Sequence, residues 1–149
     1  MKPRILVAYD FSPASARALA WAADLQRTAG GLPVHAVHVV NPVPAVSAPE
    51  MMVPALTETD VSEIARALER AVQEIDAAVT SAVILAAAPG AAIVDAAKRL
   101  EADLIVMGTH GRGGFSRLVL GSVAEYVVRH AACPVVTVRS APAEAARAA

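Results

Sequence analysis

The sequence predicts a single-domain α/β protein with a doubly wound, five-stranded parallel sheet and helices on both faces. Short apolar runs alternate with helical patterns in the order β-α-β-loop-α-β-α-β-α-β, which is typical of a covered parallel sheet. A length of 149 residues fits one domain with a sizeable core. Polar residues follow the first strand and glycines follow the fourth, and ligands of such sheets bind beyond the strand ends. We therefore expect one domain over residues 1–140.

The first βα unit carries clear local signals. The apolar run Arg4–Tyr9 predicts a strand. Ser12 suits the N-cap of a helix, and Pro13 suits its first position because the missing N–H is not needed there. The helical pattern continues to about Ala29, and Gly30–Gly31 predicts its end.

The second strand and the second helix are separated by a proline-rich segment. Pro33–Val40 predicts the strand, and Asn41–Leu56 then carries prolines at a density that blocks both helix and sheet. Met51–Val53 would suit a hydrophobic lid, and an ordinary surface loop is the alternative. Thr57 and Asp60 have capping-box spacing and predict a helix start.

The helix after Thr57 should bury one apolar stripe and expose its charges. The stripe recurs at three- and four-residue steps and consists of Ile64, Leu68, Val72, Ile75 and Val79. The charged residues Arg66, Glu69, Arg70, Glu74 and Asp76 lie mostly off it, and we expect them to form a solvated face.

The remaining elements alternate at short spacing. We expect a third strand over Ser81–Ala87, a turn at Pro89-Gly90, a short helix through Ile93 and Leu100, a fourth strand over Leu104–Met107, a last helix over about Gly121–Ala131 and a fifth strand over Val135–Arg139. The alanine-rich tail, residues 141–149, should be disordered.

A glycine-rich stretch after the fourth strand has the composition of a phosphate-binding loop. Four of the eight glycines lie between Gly108 and Gly114, and Gly121-Ser122 opens the last helix. Glycines let backbone N–H groups approach an anion, and a helix N-terminus adds unpaired donors. Arg112 and Arg117 add positive charge. The stretch fits neither a Walker A loop nor Gly-x-Gly-x-x-Gly, and a flexible glycine-rich linker is the alternative.

Asp10 lies at the other polar strand end. Its carboxylate could bond its own turn, or it could contact a sugar hydroxyl, an adenine amine or a divalent metal. If the first and fourth strands are neighbours, in the order 3-2-1-4-5, Asp10 and the glycine loop face one crevice.

Several classes of function are disfavoured. Basic residues are scattered and the net charge is −1, which disfavours nucleic acid as the main partner. No apolar run is long enough for a membrane span. With one cysteine, Cys133, and no recognisable signal segment, we expect a cytoplasmic protein. His35 and His38 should point to opposite faces of a strand as packed or surface residues, and we find no catalytic residue set.

The spacing Gly108-x2-Gly111-x9-Gly121-Ser122 resembles the ATP-binding branch of the universal stress protein family. The resemblance covers roughly residues 2–139, and the supporting segments are Ile5–Ser12, Val37–Val40, Asp103–Gly111, Leu120–Glu125 and Cys133–Val138. It implies the adenine nucleotide alpha hydrolase-like fold, with sheet order 3-2-1-4-5.

The resemblance also implies a set of ATP contacts. The strand-1 end (Ala8, Tyr9 and Asp10) would meet the adenosine, and the Val39 backbone would meet the adenine. Met107 and Gly108 would line the pocket, and the phosphates would be held by Gly111, Arg112, Gly121, Ser122 and Val123. His110 lies inside the same loop, where we expect its backbone to matter more than its ring. Asp10 could also reach a Mg²⁺ or Mn²⁺ ion bound with ATP. Two positions depart from the family pattern: Tyr9 replaces a small residue or threonine, and Ala87 replaces a glycine.

The implied role is a nucleotide-dependent stress-response module that forms a homodimer through strand 135–138. The alternatives are a slow ATP hydrolase, self-phosphorylation on Ser116 or Ser122, and an adaptor that responds to AMP or cyclic AMP. No positioned base for a water is evident, which disfavours an efficient enzyme.

Overall fold

The computed structural model describes residues 3–42, 56–110 and 120–140. The strands are β1 (Ile5–Ala8), β2 (Val34–Val40), β3 (Thr80–Leu85), β4 (Leu104–Gly108) and β5 (Val135–Val138). The helices are α1 (Pro13–Thr28), α2 (Glu58–Ile75), α3 (Pro89–Arg99) and α4 (Ser122–His130). All strand pairs are parallel, in the order β3-β2-β1-β4-β5. The predicted fold class and strand order are therefore confirmed.

Two apolar clusters cover the two faces of the sheet. On one face, Ile5 and Val7 of β1 pack with Leu19 of α1 and with Leu68 of α2. On the other face, Leu6 and Ala8 pack with residues of α3 and α4. Because side chains alternate along a strand, β1 supplies both clusters and is buried on both sides.

The predicted helix caps form as expected. The Ser12 hydroxyl accepts from the Ser15 N–H at 3.2 Å, with Pro13 at the first position of α1. Thr57 and Asp60 form a complete capping box at the start of α2. Gly30 and Gly31 have φ values of 82° and 77° just after α1, in the left-handed region that favours glycine.

Two predictions about α2 and α3 are wrong. Pro89 and Gly90 are the first two residues of α3 rather than a separate turn, because proline is as well suited to the first helical position as to a turn. Val79 is buried but lies beyond the end of α2 at Ile75. The remaining element ends differ from the predictions by one or two residues.

Asp76 also departs from the predicted solvated face. It is the C-cap residue of α2, its Oδ1 accepts from the Ala78 N–H at 2.9 Å, and its Oδ2 pairs with the Arg27 guanidinium at 3.0 Å. These hydrogen bonds lower the pKa of the Asp76 carboxyl. The other four charged residues, Arg66, Glu69, Arg70 and Glu74, are exposed as predicted.

The predictions for segment 43–55, loop 111–119 and tail 141–149 lie outside the described residues. Within the described ranges, no helix combines the length and the apolar character that a membrane span requires.

Leu68→Ala should destabilise the protein, because the Leu68 side chain is fully buried between α2 and the sheet. We expect a loss of about 2–5 kcal/mol in the free energy of unfolding, measured by urea denaturation. The neighbouring exposed substitution Glu69→Ala should change it by less than about 0.5 kcal/mol. Equal effects of the two substitutions would contradict the packing of α2 described above.

Candidate functional site

A cleft of about 430 Å³ lies at the carboxyl ends of β1, β2 and β4. The sheet order places β1 between β2 and β4, so this is the point where the strand order reverses and where open α/β sheets bind ligands. Its size is within the usual range for small-molecule sites. The described lining residues are Ala8, Tyr9, Asp10, Ser15, Val37, His38, Val39, Pro89, Ile93, Met107, Gly108, Thr109, His110, Gly121, Ser122, Val123 and Ala124.

Asp10 lies in the tight turn between β1 and α1. Its Oδ1 accepts from the Ser12 N–H at 3.0 Å, and its own N–H donates to the Ser15 hydroxyl at 3.2 Å. Phe11 between them has a φ of 63°, which is unusual for a residue with a side chain. The turn therefore orients the Asp10 carboxylate, and Asp10 is both a turn-stabilising residue and part of the cleft wall.

Tyr9 directs its ring into the core on the α1 and α2 face. The ring belongs to the cluster of Ile5 and Val7 and is 8% exposed. Burial, together with the negative charges of Asp10 and Glu74, raises the pKa of the phenol, so the hydroxyl is neutral near pH 7. The bulk of Tyr9 is thus accommodated on the opposite side of β1 from Ala8 and Met107.

At the base of the cleft, β2 extends further than β1. The β1–β2 register ends with Ala8 opposite Val37, followed by one further bond from the Tyr9 N–H to the Val37 carbonyl at 2.8 Å. The β2–β3 register continues to Val40. Because a strand alternates its bonding edge, Val39 presents its N–H and C=O toward the β1 side, as Val37 does. No described residue of β1 pairs with Val39 there.

On the other side of the cleft, the end of β4 approaches two helix starts closely. A Cβ on Gly108 would lie 2.9 Å from the Ala14 Cβ and 3.0 Å from the Ser15 N. A Cβ on Gly121 would lie 3.0 Å from the Thr109 carbonyl oxygen, which also accepts from the Gly121 N–H at 2.8 Å. Both positions therefore need glycine for close packing rather than for an unusual backbone angle.

The N-terminus of α4 opens onto the cleft without a side-chain cap. Gly121 is its N-cap residue and makes no side-chain hydrogen bond to the first turn. The N–H groups of Ser122 and Val123 have no acceptor within the helix, and both residues line the cleft. This end of the cleft therefore offers backbone donors and a positive helix dipole.

His110 adds a side chain at the same end. Its Nδ1 is 3.0 Å from the Thr109 hydroxyl oxygen. Its Nε2 is buried and has no hydrogen-bond partner among the described residues. A buried imidazole nitrogen usually has a partner, so this atom is suited to a polar ligand in the cleft.

The structure brings most of the sequence-predicted site residues together. Ala8, Tyr9, Asp10, Val39, Met107, Gly108, His110, Gly121, Ser122 and Val123 all line the cleft. Gly111 and Arg112 lie outside the described residues. The sequence reasoning missed Ser15, Val37, His38, Pro89, Ile93, Thr109 and Ala124. Their position beside strand ends and helix starts was the available signal, and His38 was expected to be only a packed or surface residue.

Neither a metal cluster nor a reactive thiol is evident in the described part of the chain. It contains no group of three or more His, Cys, Asp or Glu residues arranged to hold a metal. Cys133 is half-buried, and burial raises the pKa of its thiol, which disfavours the thiolate.

Comparison with known proteins gives the family. A sequence model of the universal stress protein family matches residues 1–139. A universal stress protein of Thermus aquaticus is 39% identical over 136 residues, which cover 91% of this chain and 97% of that protein. The chain belongs to the universal stress protein family. One from Methanocaldococcus jannaschii is 34% identical over 71% of this chain, which spans 64% of the length of that protein.

Solved universal stress protein structures share the fold. One from Archaeoglobus fulgidus, in complex with dAMP, has a TM-score of 0.64 and 26% identity, covering 93% of this chain and 98% of that one. Another, in complex with cAMP, has a TM-score of 0.69 over 94% and 98% of the two chains; at 22% identity it supports the fold alone.

Gly108→Ala should disturb the junction between β4 and α1, because the added methyl group meets backbone at 3.0 Å. We expect the free energy of unfolding to fall by about 1–3 kcal/mol in urea denaturation. Ala132→Val, at an exposed position after α4, adds more volume and should change stability by less than about 0.5 kcal/mol. If Gly108→Ala leaves the free energy of unfolding unchanged, the close approach of β4 and α1 would be contradicted.

Proposed function

We infer that this universal stress protein binds ATP in the cleft and acts as a nucleotide-dependent regulatory module of the stress response. The observation that carries the proposal is the pairing of two open backbone sites. The Val39 peptide edge lies on one side, and the uncapped N-terminus of α4 lies on the other. They match the two ends of an adenine nucleotide, a base with an adjacent donor and acceptor and an anionic phosphate chain.

The α4 end suits phosphate. The first-turn N–H groups and the Ser122 hydroxyl are donors, and Gly108 and Gly121 let the backbone come close. The buried His110 Nε2 can donate when the Thr109 hydroxyl satisfies Nδ1. By resemblance to the family, Gly111 and Arg112 would complete this cradle. A Mg²⁺ or Mn²⁺ ion would enter with the triphosphate, and Asp10 is the candidate carboxylate for it.

The β2 end suits adenine. The Val39 N–H can donate to a ring nitrogen while the Val39 C=O accepts from the exocyclic amine. Guanine presents a carbonyl oxygen where adenine presents that amine, so the same edge disfavours guanine. Apolar side chains of Val37, Ile93 and Met107 would contact the ring faces. Asp10 follows β1, which lies between β2 and β4, and its carboxylate would contact a ribose hydroxyl.

Other adenine nucleotides and slow chemistry are the alternatives. The solved relative in complex with dAMP favours a site that accepts adenosine monophosphates as well. A weak ATPase or self-phosphorylation on Ser122 or Ser116 would require a general base, and the candidates among the described lining residues are Asp10, His38 and His110. Release of phosphate during long incubation with ATP would favour the enzyme. A cytoplasmic location stays a prediction from the sequence.

We also propose that two copies pair through β5. This strand forms one edge of the sheet, with Val135, Val136 and Val138 half-buried and Thr137 exposed. An apolar edge strand is a ready site for pairing with a second copy. Nucleotide binding at the end of β4, beside β5, could then influence the dimer.

ATP should stabilise the protein, and Gly121→Val should remove this effect. At about 100 times the dissociation constant, ATP should add roughly 2.7 kcal/mol to the free energy of unfolding. The valine side chain introduced by Gly121→Val would enter the space of the Thr109 carbonyl and displace the α4 N-terminus. Thermal denaturation with ATP, GTP, AMP and cyclic AMP measures the shift and its base preference.

Ala132→Val is the control for Gly121→Val, because it adds bulk at the opposite end of α4 and should keep the full ATP shift. The proposed site would be contradicted if none of the four nucleotides shifts the melting temperature of the wild type. It would also be contradicted if ATP shifts the melting temperature of Gly121→Val as much as that of the wild type.

Thr137→Pro should convert the proposed dimer to a monomer. The Pro134 and Val138 carbonyls bond toward β4, so alternation directs the Thr137 N–H outward. Proline removes that outward donor and keeps the bonds to β4. Sedimentation equilibrium should give a dimer for the wild type and a monomer for the variant. Thr137→Val is the control and should remain dimeric, and a monomeric wild type would refute the pairing.

A further inference from the structure

The His38 ring lies where β1 leaves the sheet. Its Nδ1 is 2.8 Å from the Tyr9 carbonyl oxygen. A carbonyl can only accept, so Nδ1 carries the hydrogen, and in the neutral ring Nε2 has none. Phe11 holds the ring edge-on at a centroid distance of 4.9 Å, and Phe11 itself contacts Tyr9 edge-on at 5.1 Å. The Phe11 ring, which itself packs against Tyr9, therefore orients the His38 imidazole for this hydrogen bond.

The Tyr9 carbonyl has a second natural partner. The Tyr9 N–H already bonds the Val37 carbonyl, and in a continuing parallel ladder the Tyr9 carbonyl would accept from the Val39 N–H. The chain instead turns away at Phe11, and the Asp10 N–H bonds the Ser15 hydroxyl. His38 thus supplies the donor that the next residue of its own strand would otherwise supply.

We propose that His38 is a positioning residue for base recognition, because its Nδ1–H occupies the Tyr9 carbonyl and leaves the Val39 peptide edge open to adenine. The inference rests on the adenine site proposed above. His38 borders the cleft, and its ring packs against Phe11 and bonds Tyr9, so it acts through Val39 rather than on the nucleotide. The loss of His38 should let the β1–β2 ladder extend by one bond, from the Val39 N–H to the Tyr9 carbonyl, and so remove one hydrogen-bond donor from the base site.

Two variants separate this role from simple packing. His38→Leu keeps apolar volume and loses the donor. His38→Asn keeps an amide N–H near the position of Nδ1 and should restore the bond to Tyr9. Both are compared with the wild type as full-length, folded protein, with melting curves recorded for each.

Hydrogen exchange tests the ladder without any nucleotide. The Val39 amide should exchange rapidly in the wild type and in His38→Asn. It should become protected in His38→Leu, where it pairs with the Tyr9 carbonyl. The ¹⁵N signals of the wild-type imidazole should show the tautomer with hydrogen on Nδ1.

Calorimetric titration then tests the consequence for binding. His38→Leu should weaken ATP binding about tenfold, the effect of one lost hydrogen bond to the base. Inorganic tripolyphosphate, which lacks a base, should bind with unchanged affinity. His38→Asn should bind ATP within about threefold of the wild type.

The two proposals fail in different ways. If the wild type binds neither ATP nor tripolyphosphate, the proposed function is wrong, and the exchange of Val39 still decides the role of His38. The inference is overturned if the Val39 amide exchanges equally fast in His38→Leu and in the wild type. It is also overturned if the ratio of ATP affinity to tripolyphosphate affinity is the same in these two proteins, or if the wild-type His38 ring carries its hydrogen on Nε2.

Discussion

The early end of the central strand β1 determines where the cleft lies. β1 stops at Ala8, while β2 continues to Val40 and β4 continues to Gly108. The hydrogen bonds of Asp10 with Ser12 and Ser15 turn the chain out of the sheet at that point. A longer β1 would fill the gap between its neighbours with backbone and would pair with Val39. The position of the cleft therefore depends on a short, hydrogen-bonded turn after β1.

The core and the cleft place opposite demands on the same elements. The sheet interior is satisfied by ladder hydrogen bonds and by two apolar clusters. At the strand ends, the Val39 edge, the first turn of α4 and the His110 Nε2 are left without comparable partners in the described residues. Polar groups without hydrogen-bond partners lower the stability of the free protein, and a ligand that pairs with them raises it. Gly108 and Gly121 place these groups close together at the end of β4 and the start of α4.

Local signals in the sequence were sufficient for most of the fold. Ser12, Pro13 and the Thr57–Asp60 pair identified helix starts correctly, because capping depends on residues only a few positions apart. Pro89-Gly90 was misread, since the same dipeptide suits a turn and a first helical turn. Asp76 was misread for another reason: its partner Arg27 lies 49 residues away, and no local pattern encodes that contact.

The candidate site was predictable where glycine spacing and strand ends indicated it, and His38 was missed. Strand periodicity assigns a face to His38 but does not reveal its hydrogen bond to the Tyr9 carbonyl, at the end of the neighbouring strand β1. The central claim is that one nucleotide spans both ends of the cleft. It is tested most directly by titrating ¹⁵N-labelled protein with MgATP and following backbone amides. We predict that the Val39 and Ser122 signals shift together with one midpoint, while exposed Glu69 stays unchanged. Shifts at only one of the two, or with different midpoints, would contradict the account.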